Sequence, residues 1–126
     1  MRTDLRPPID EAAPDEVEVV LFERPPVLID RRKWPVIASA RWHDGEVPSQ
    51  ANRRAVLMVR QHDDGRRLVY GTFSTAWRGE RDRAGGFLLR PDDDVVAAIR
   101  EVVQRLDLPG HLADEAIADL PPEPLR

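Results

Sequence analysis

The chain has 126 residues, enough for one domain with a hydrophobic core of ordinary size. It contains no cysteine, which excludes disulfide bonds, thiolate metal ligands and a cysteine nucleophile. It also lacks an apolar run of the roughly 20 residues that a membrane span needs, and the residues after Met1 do not form a secretory signal. We therefore expect a cytoplasmic protein with no membrane contact.

The first part of the sequence predicts an arm followed by two short strands. Residues 1–14 are acidic and proline-rich, so we expect a flexible arm there. The β-branched run from Val17 to Glu23 predicts a strand that ends at Pro25 and Pro26. A second short segment is expected at Val27–Ile29.

The segment from Trp34 to His43 predicts a longer strand. Pro35 cannot donate a ladder hydrogen bond, so the strand lies at an edge or begins just after it. Alternation places every second residue on one face of this strand. The predicted face consists of Trp34, Val36, Ala38, Ala40 and Trp42.

The clearest predicted element is a β-hairpin. Its strands are residues 55–62 and 67–73, and Gly65 supplies the positive φ of the turn. Residues 74–86 are polar and glycine-bearing, which predicts a mobile loop. A last short strand is expected at 86–90.

The remainder of the chain predicts helices. Pro91 and the three aspartates after it are typical of a helix start, and an apolar stripe follows from Val95 to Leu106. A second short helix is expected at 111–120. Residues 15–120 are thus expected to form a single α+β domain, with a tail at 121–126. Its antiparallel meander of four or five strands carries the amphipathic helix on one face, and the other face is solvated, paired with a second copy or covered by the arm.

Charge is segregated along the chain. Residues 1–23 carry a net charge of −5, residues 24–90 of +7 and residues 91–126 of −6. The acidic ends either fold over the basic middle and neutralise it, or leave a basic surface for an anionic partner. The 18 arginines against one lysine, Lys33, suit the binding of carboxylates or phosphates, but a GC-rich bacterial genome produces the same bias.

Cations beside aromatic rings define a candidate interaction surface in the basic middle region. Tryptophan next to arginine is typical of single-strand nucleic-acid binding, although tryptophan in a strand more often packs in a core. Trp77 stands in a charged loop, so we expect it to be exposed. The surface consists of Arg32, Lys33, Arg41, Arg53, Arg54, Trp77, Arg78, Arg81 and Arg83.

No pattern for catalysis, cofactor binding or metal binding stands out. His43-Asp44 and His62-Asp63 each precede a turn, where such residue pairs are ordinary turn chemistry. The sequence therefore favours a non-enzymatic domain that binds a protein partner or itself, for example as a homodimer, through an open sheet face or edge. A nucleic-acid-binding module is the first alternative, and an enzyme or ligand site around His43 or His62 is the second.

Overall fold

The computed structural model describes residues 15–122, so the arm expected at 1–14 and residues 123–126 of the expected tail lie outside the described residues. The fold is α+β, with a four-stranded and a two-stranded antiparallel sheet and two C-terminal helices. The elements are β1 (Glu16–Val19), β2 (Val27–Asp30), β3 (Val36–His43), a 3₁₀ turn (Pro48–Gln50), β4 (Arg53–Gln61), β5 (Arg67–Thr75), β6 (Arg83–Leu89), α1 (Val95–Leu106) and α2 (His111–Asp119). The predicted fold class is confirmed, including the short second helix.

The larger sheet is a meander in the order β3-β4-β5-β6. Gly65 has a φ of 93° in the turn between β4 and β5, as the sequence predicts. The loop expected at 74–86 is shorter than predicted, because β5 continues to Thr75 and β6 begins at Arg83. Backbone pairing extends through polar residues here, since the ladder needs only N–H and C=O groups.

Both helices pack on one face of this sheet, which we call the helix face. The side chain of Asp94 caps α1 by accepting a hydrogen bond from the N–H of Ala97 at 3.1 Å. The first core joins sheet and helix side chains, among them Leu57, Val59, Val69, Ile99, Val102 and Leu112. No helix within residues 15–122 is long and apolar enough to cross a membrane.

The opposite face, which we call the second face, is partly covered by the β1–β2 hairpin. A second core forms between this hairpin and the sheet, with Val19 and Ile29 packed against Leu68 and Tyr70. Further along β5, Thr72 and Ser74 on the same face are exposed. The N-terminal hairpin therefore covers one end of the second face, a role that the sequence analysis had not assigned to it.

A bulge in β3 changes the predicted distribution of side chains. The register with β4 shifts between Val36 and Ala38, so Ile37 is an extra residue. Ala38 and Ala40 lie in the first core as expected, but Val36 is 44% exposed and Trp34 is buried in the second core. The prediction of one continuous face from Trp34 to Trp42 is wrong, because one inserted residue reverses the alternation before it.

After β1 the chain crosses the outer edge of β6. The N–H of Phe22 donates to the carbonyl oxygen of Gly86 at 2.9 Å, and its ring lies 5.1 Å from the ring of Phe87. Gly85 makes room for this ring, since a Cβ at position 85 would overlap it. The crossing joins the two cores around one edge of the sheet.

Candidate interaction surface

Arg41 and Arg54 meet on the part of the second face that the hairpin leaves open. Arg41 pairs with Val56 across β3 and β4, and Arg54 stands two residues before Val56, so the two arginines are diagonal neighbours. Such neighbours lie about 7–8 Å apart. With the exposed Thr72 and Ser74 of β5, these residues form a surface that we call the basic patch (Arg41, Arg54, Val56, Thr72 and Ser74).

Arg41 of the basic patch lies beside no carboxylate of the described strands. Among residues 15–122, the strand residues next to the patch on this face are Ser39, His43, Met58, Tyr70 and Ala84, and none of them is acidic. The carboxylate of Asp82, just before β6, accepts a hydrogen bond from the N–H of Thr75 at 2.9 Å. Arg41 forms no ion pair with any residue from 15 to 122. The Nδ1 atom of His43 is buried and has no hydrogen-bond partner in the same part of the chain. Arg41 therefore presents to solvent a positive charge that no carboxylate from 15 to 122 pairs with.

Arg53, although adjacent to Arg54, points to the other face and orders the loop after β5. Its guanidinium contacts Glu80 through three hydrogen bonds, the shortest at 2.6 Å, and Thr75 donates to the same carboxylate. These bonds lower the pKa of Glu80 to about 2, with the Arg53 hydrogen bond as the largest cause. The guanidinium of Arg53 is thus bound to the loop between β5 and β6 and is not available to a partner.

Trp77 lies in this loop and is 49% exposed, which confirms the expectation for it. The guanidinium of Arg53 lies 5.7 Å from the centre of its ring. Arg78 and Arg81, from the same loop, are exposed as well. Trp77, Arg78 and Arg81 therefore share one exposed loop between β5 and β6.

Arg83 has a structural position on the helix face. Its Nε donates to the carbonyl oxygen of Leu106 at 2.7 Å, at the end of α1, and its guanidinium lies 4.0 Å from the centre of the Phe73 ring. A cation is favourable at a helix C-terminus because the last carbonyl groups are unpaired there. The structure does not bring Arg83 to the basic patch.

Arg32 and Lys33 lie in the turn between β2 and β3, away from the patch. Arg32 pairs with Asp30 at 3.3 Å and with Asp15 at 3.8 Å. The pKa of Asp30 is lowered, chiefly because it accepts a hydrogen bond from the backbone N–H of Arg32. Of the nine residues singled out in the sequence, the structure therefore brings only Arg41 and Arg54 together on the open part of the second face.

The two histidines of the enzyme alternative do not share a site. His43 pairs with Arg54 at the start of β4, whereas His62 follows its end. The Nδ1 of His62 accepts a hydrogen bond from the N–H of Asp64 in the same turn, and its ring lies 5.0 Å from that of Trp34. Within residues 15–122 no three histidine, aspartate or glutamate side chains come together as metal ligands.

The helices form an acidic layer on the side opposite the basic patch. Residues 91–122 contain eight carboxylates and two arginines. Two of the ion pairs between described residues join an acidic end of the chain to the basic middle, namely Arg32–Asp15 and Arg90–Asp93. The arginines of the middle otherwise pair with local carboxylates, as in Arg66–Asp64 and Arg53–Glu80. In the described part of the chain, no carboxylate of the acidic ends forms an ion pair with Arg41.

Sequence reasoning missed Val56, Thr72 and Ser74, which complete the patch. Their placement follows from the register of β3, β4 and β5, and none of them has a local sequence signal.

Comparisons with models of known protein families, with curated protein sequences and with solved structures gave no match. The physical properties of this surface therefore carry the functional conclusion.

Proposed function

We propose that this chain is a non-enzymatic interaction domain that binds a protein partner, or a second copy of itself, through the basic patch. The observation that supports the proposal is the exposed Arg41, which forms no ion pair with any residue from 15 to 122 and lies on the part of the second face beyond the β1–β2 hairpin. A partner that brings carboxylates to this surface gives Arg41 a cross-strand neighbour of opposite charge.

The basic patch also has the composition of a docking surface. Arginine is enriched at protein interfaces because its guanidinium can stack and form paired hydrogen bonds. Val56 is half-buried and the neighbouring Thr72 and Ser74 have short side chains, so a partner can approach the strands closely. The acidic helix layer lies on the other side, so an acidic partner is attracted to one side of the molecule and repelled by the other.

Site-specific cross-linking tests this proposal. A photoreactive amino acid at Thr72, within the patch, is compared with one at the exposed Ala97 on α1 in cells that produce the protein. We expect a discrete cross-linked species from position 72 that disappears in the Arg41→Glu/Arg54→Glu variant. Sedimentation of the purified protein over a range of concentrations shows whether that species is a second copy.

Two results would overturn the proposal. One is the same set of cross-linked species from positions 72 and 97, and the other is a position-72 species that survives the double substitution. Circular dichroism of each variant verifies that the fold is retained.

Trp77 favours a second candidate function, the binding of single-stranded nucleic acid. Its exposed ring beside Arg78 and Arg81 combines a stacking surface with positive charge. This function predicts that oligo(dT) quenches the tryptophan fluorescence at low salt, and that the quenching is lost in Trp77→Phe. Unchanged fluorescence at low salt excludes this candidate, since phosphate binding is strongest there.

A further inference from the structure

Backbone N–H groups at the edge of the sheet beside the basic patch indicate which kind of segment can bind there. β3 is an outer strand of the meander. The N–H of Asp44 donates to the carbonyl oxygen of Arg53, and since alternate residues of a strand face opposite sides, the N–H groups of Ser39, Arg41 and His43 point away from β4. Those of Arg41 and His43 have no hydrogen-bond acceptor among residues 15–122.

Two other parts of the sheet edge already form hydrogen bonds within the chain. The N–H of Ser39 donates to the carboxylate of Asp119 at 3.0 Å, so α2 closes the first half of the β3 edge. At the opposite edge of the sheet, the backbone of Phe22 pairs with Gly86 in the middle of β6. The second half of the β3 edge, next to the basic patch, is thus the place where another strand can pair with this sheet.

From these features we infer that the partner contributes an extended acidic segment that pairs with β3 at Arg41 and His43. This inference rests on the proposed function and specifies the chemistry of the partner. Side chains of an added strand alternate between the two faces, so every second one lies beside Arg41 on the second face. Carboxylates at those alternate positions form cross-strand pairs with Arg41 and reach towards Arg54.

Charge distinguishes this partner from a second copy of the chain. A two-fold pairing of two β3 edges brings both Arg41 side chains to the same face and close to each other. Like charges in such positions are destabilising. The carboxylate of Asp119 on the N–H of Ser39 also shows that this edge accommodates an acidic group in the folded chain.

Capped, fluorescein-labelled peptides test the inference by fluorescence anisotropy. The probe alternates glutamate and valine over five residues, and two control peptides contain either the same residues in blocks or lysine in place of glutamate. We expect the alternating peptide to bind best and the lysine peptide not to bind. Binding to Arg41→Glu is expected to be about tenfold weaker or worse.

Backbone pairing is tested separately from charge. N-methylation of the probe at the positions that face β3 removes its N–H donors and is expected to abolish binding, whereas N-methylation at the positions between them is tolerated. On binding, amide hydrogen exchange slows at Arg41 and His43, while Ser39, already paired with Asp119, is unchanged.

The outcomes separate this inference from the function on which it rests. No binding of the alternating peptide, equal binding of the block peptide, or no effect of N-methylation overturns the strand-pairing inference. The cross-link at position 72, with its dependence on Arg41 and Arg54, can still be observed in each of these cases. Loss of that cross-link overturns the proposed function itself.

Discussion

Glu80 shows how one carboxylate can order a loop. Its pKa is lowered from the ordinary value of 4.5 to about 2 by hydrogen bonds from Arg53 and Thr75. A depressed pKa means that the charged form is favoured in the folded protein, so the stabilisation is complete above 4.5 and disappears as the pH falls through about 2. At neutral pH the charged carboxylate of Glu80 therefore holds the loop that carries Trp77 against Arg53 and Thr75.

The substitution Glu80→Gln tests this dependence. We expect the variant to unfold at a lower urea concentration than the natural chain at neutral pH, because the charged hydrogen bonds to Arg53 are lost. The difference between the two proteins should narrow as the pH falls below 4.5 and vanish near 2. A difference that is constant over this range would contradict the assignment.

Arg60 is the buried charged residue of the described chain, with 8% of its surface exposed. Its Nε donates to the hydroxyl oxygen of Tyr70 and one terminal nitrogen to the carbonyl oxygen of Trp34, each at 2.9 Å. Arg60→Met leaves both acceptors without a donor, so we expect a loss of about 2–4 kcal/mol in the free energy of unfolding. Urea denaturation measures this loss.

A double-mutant cycle is the control for Arg60. Tyr70→Phe removes one of the two hydrogen bonds and should cost about 1 kcal/mol alone. In the Arg60→Met background the same change should cost much less, because the bond is already absent. Additive losses would show that the two side chains act independently.

At the level of secondary structure, the Gly85-Gly86 pair explains how β6 accepts two close neighbours. A Cβ at position 86 would overlap the backbone oxygen of Val69 and the Cβ of Tyr70 on the adjacent strand. Backbone atoms in a paired strand cannot move as a side chain can. The pair therefore serves the packing of β6 against β5 and Phe22.

Gly86→Ala should destabilise the protein by about 2–3 kcal/mol, because overpacking forces β5 and β6 apart. Gly110→Ala is a matched control, since a Cβ there meets no atom within 4 Å and φ is −61°. The control should be neutral or stabilising by up to about 1 kcal/mol. Equal melting temperatures for the two variants would contradict this account.

The sequence was most informative where local signals are strong. The hairpin around Gly65 and the helix that begins after Asp94 have turn and capping residues at the positions that these elements require. The bulge at Ile37 and the position of Trp34 have no such signal, because both depend on the second core that the β1–β2 hairpin builds with distant strands. Local patterns specify elements, while packing partners decide which face a residue occupies.

At the candidate site, too, local sequence patterns and packing partners determine different things. Arg41, Arg53, Arg54 and Arg83 are all candidate cations in the sequence, and the structure alone shows that Arg53 and Arg83 donate hydrogen bonds within the fold. One residue of difference in a strand sends a side chain to the opposite face, as Arg53 and Arg54 show. The basic patch could therefore be recognised only after the register of the sheet was known.

For the whole molecule, the contacts distinguish arginines that support the fold from those that are exposed to solvent. We expect Arg41→Ala to change the free energy of unfolding by less than about 0.5 kcal/mol, since the side chain is exposed and forms no ion pair with residues 15–122. Arg83→Ala should cost about 1–2 kcal/mol, because the Phe73 contact and the α1 cap are lost. Thermal and urea denaturation of both variants provide the comparison.

The crossing of Phe22 over β6 has a consequence for polymerisation. A sheet with two free edge strands can pair with another molecule at each edge and grow into a fibre. Here the backbone of Phe22 pairs with Gly86 at the centre of the β6 edge. Under the proposed pairing through β3, growth of this sheet past its other edge would therefore have to displace Phe22 from Gly86.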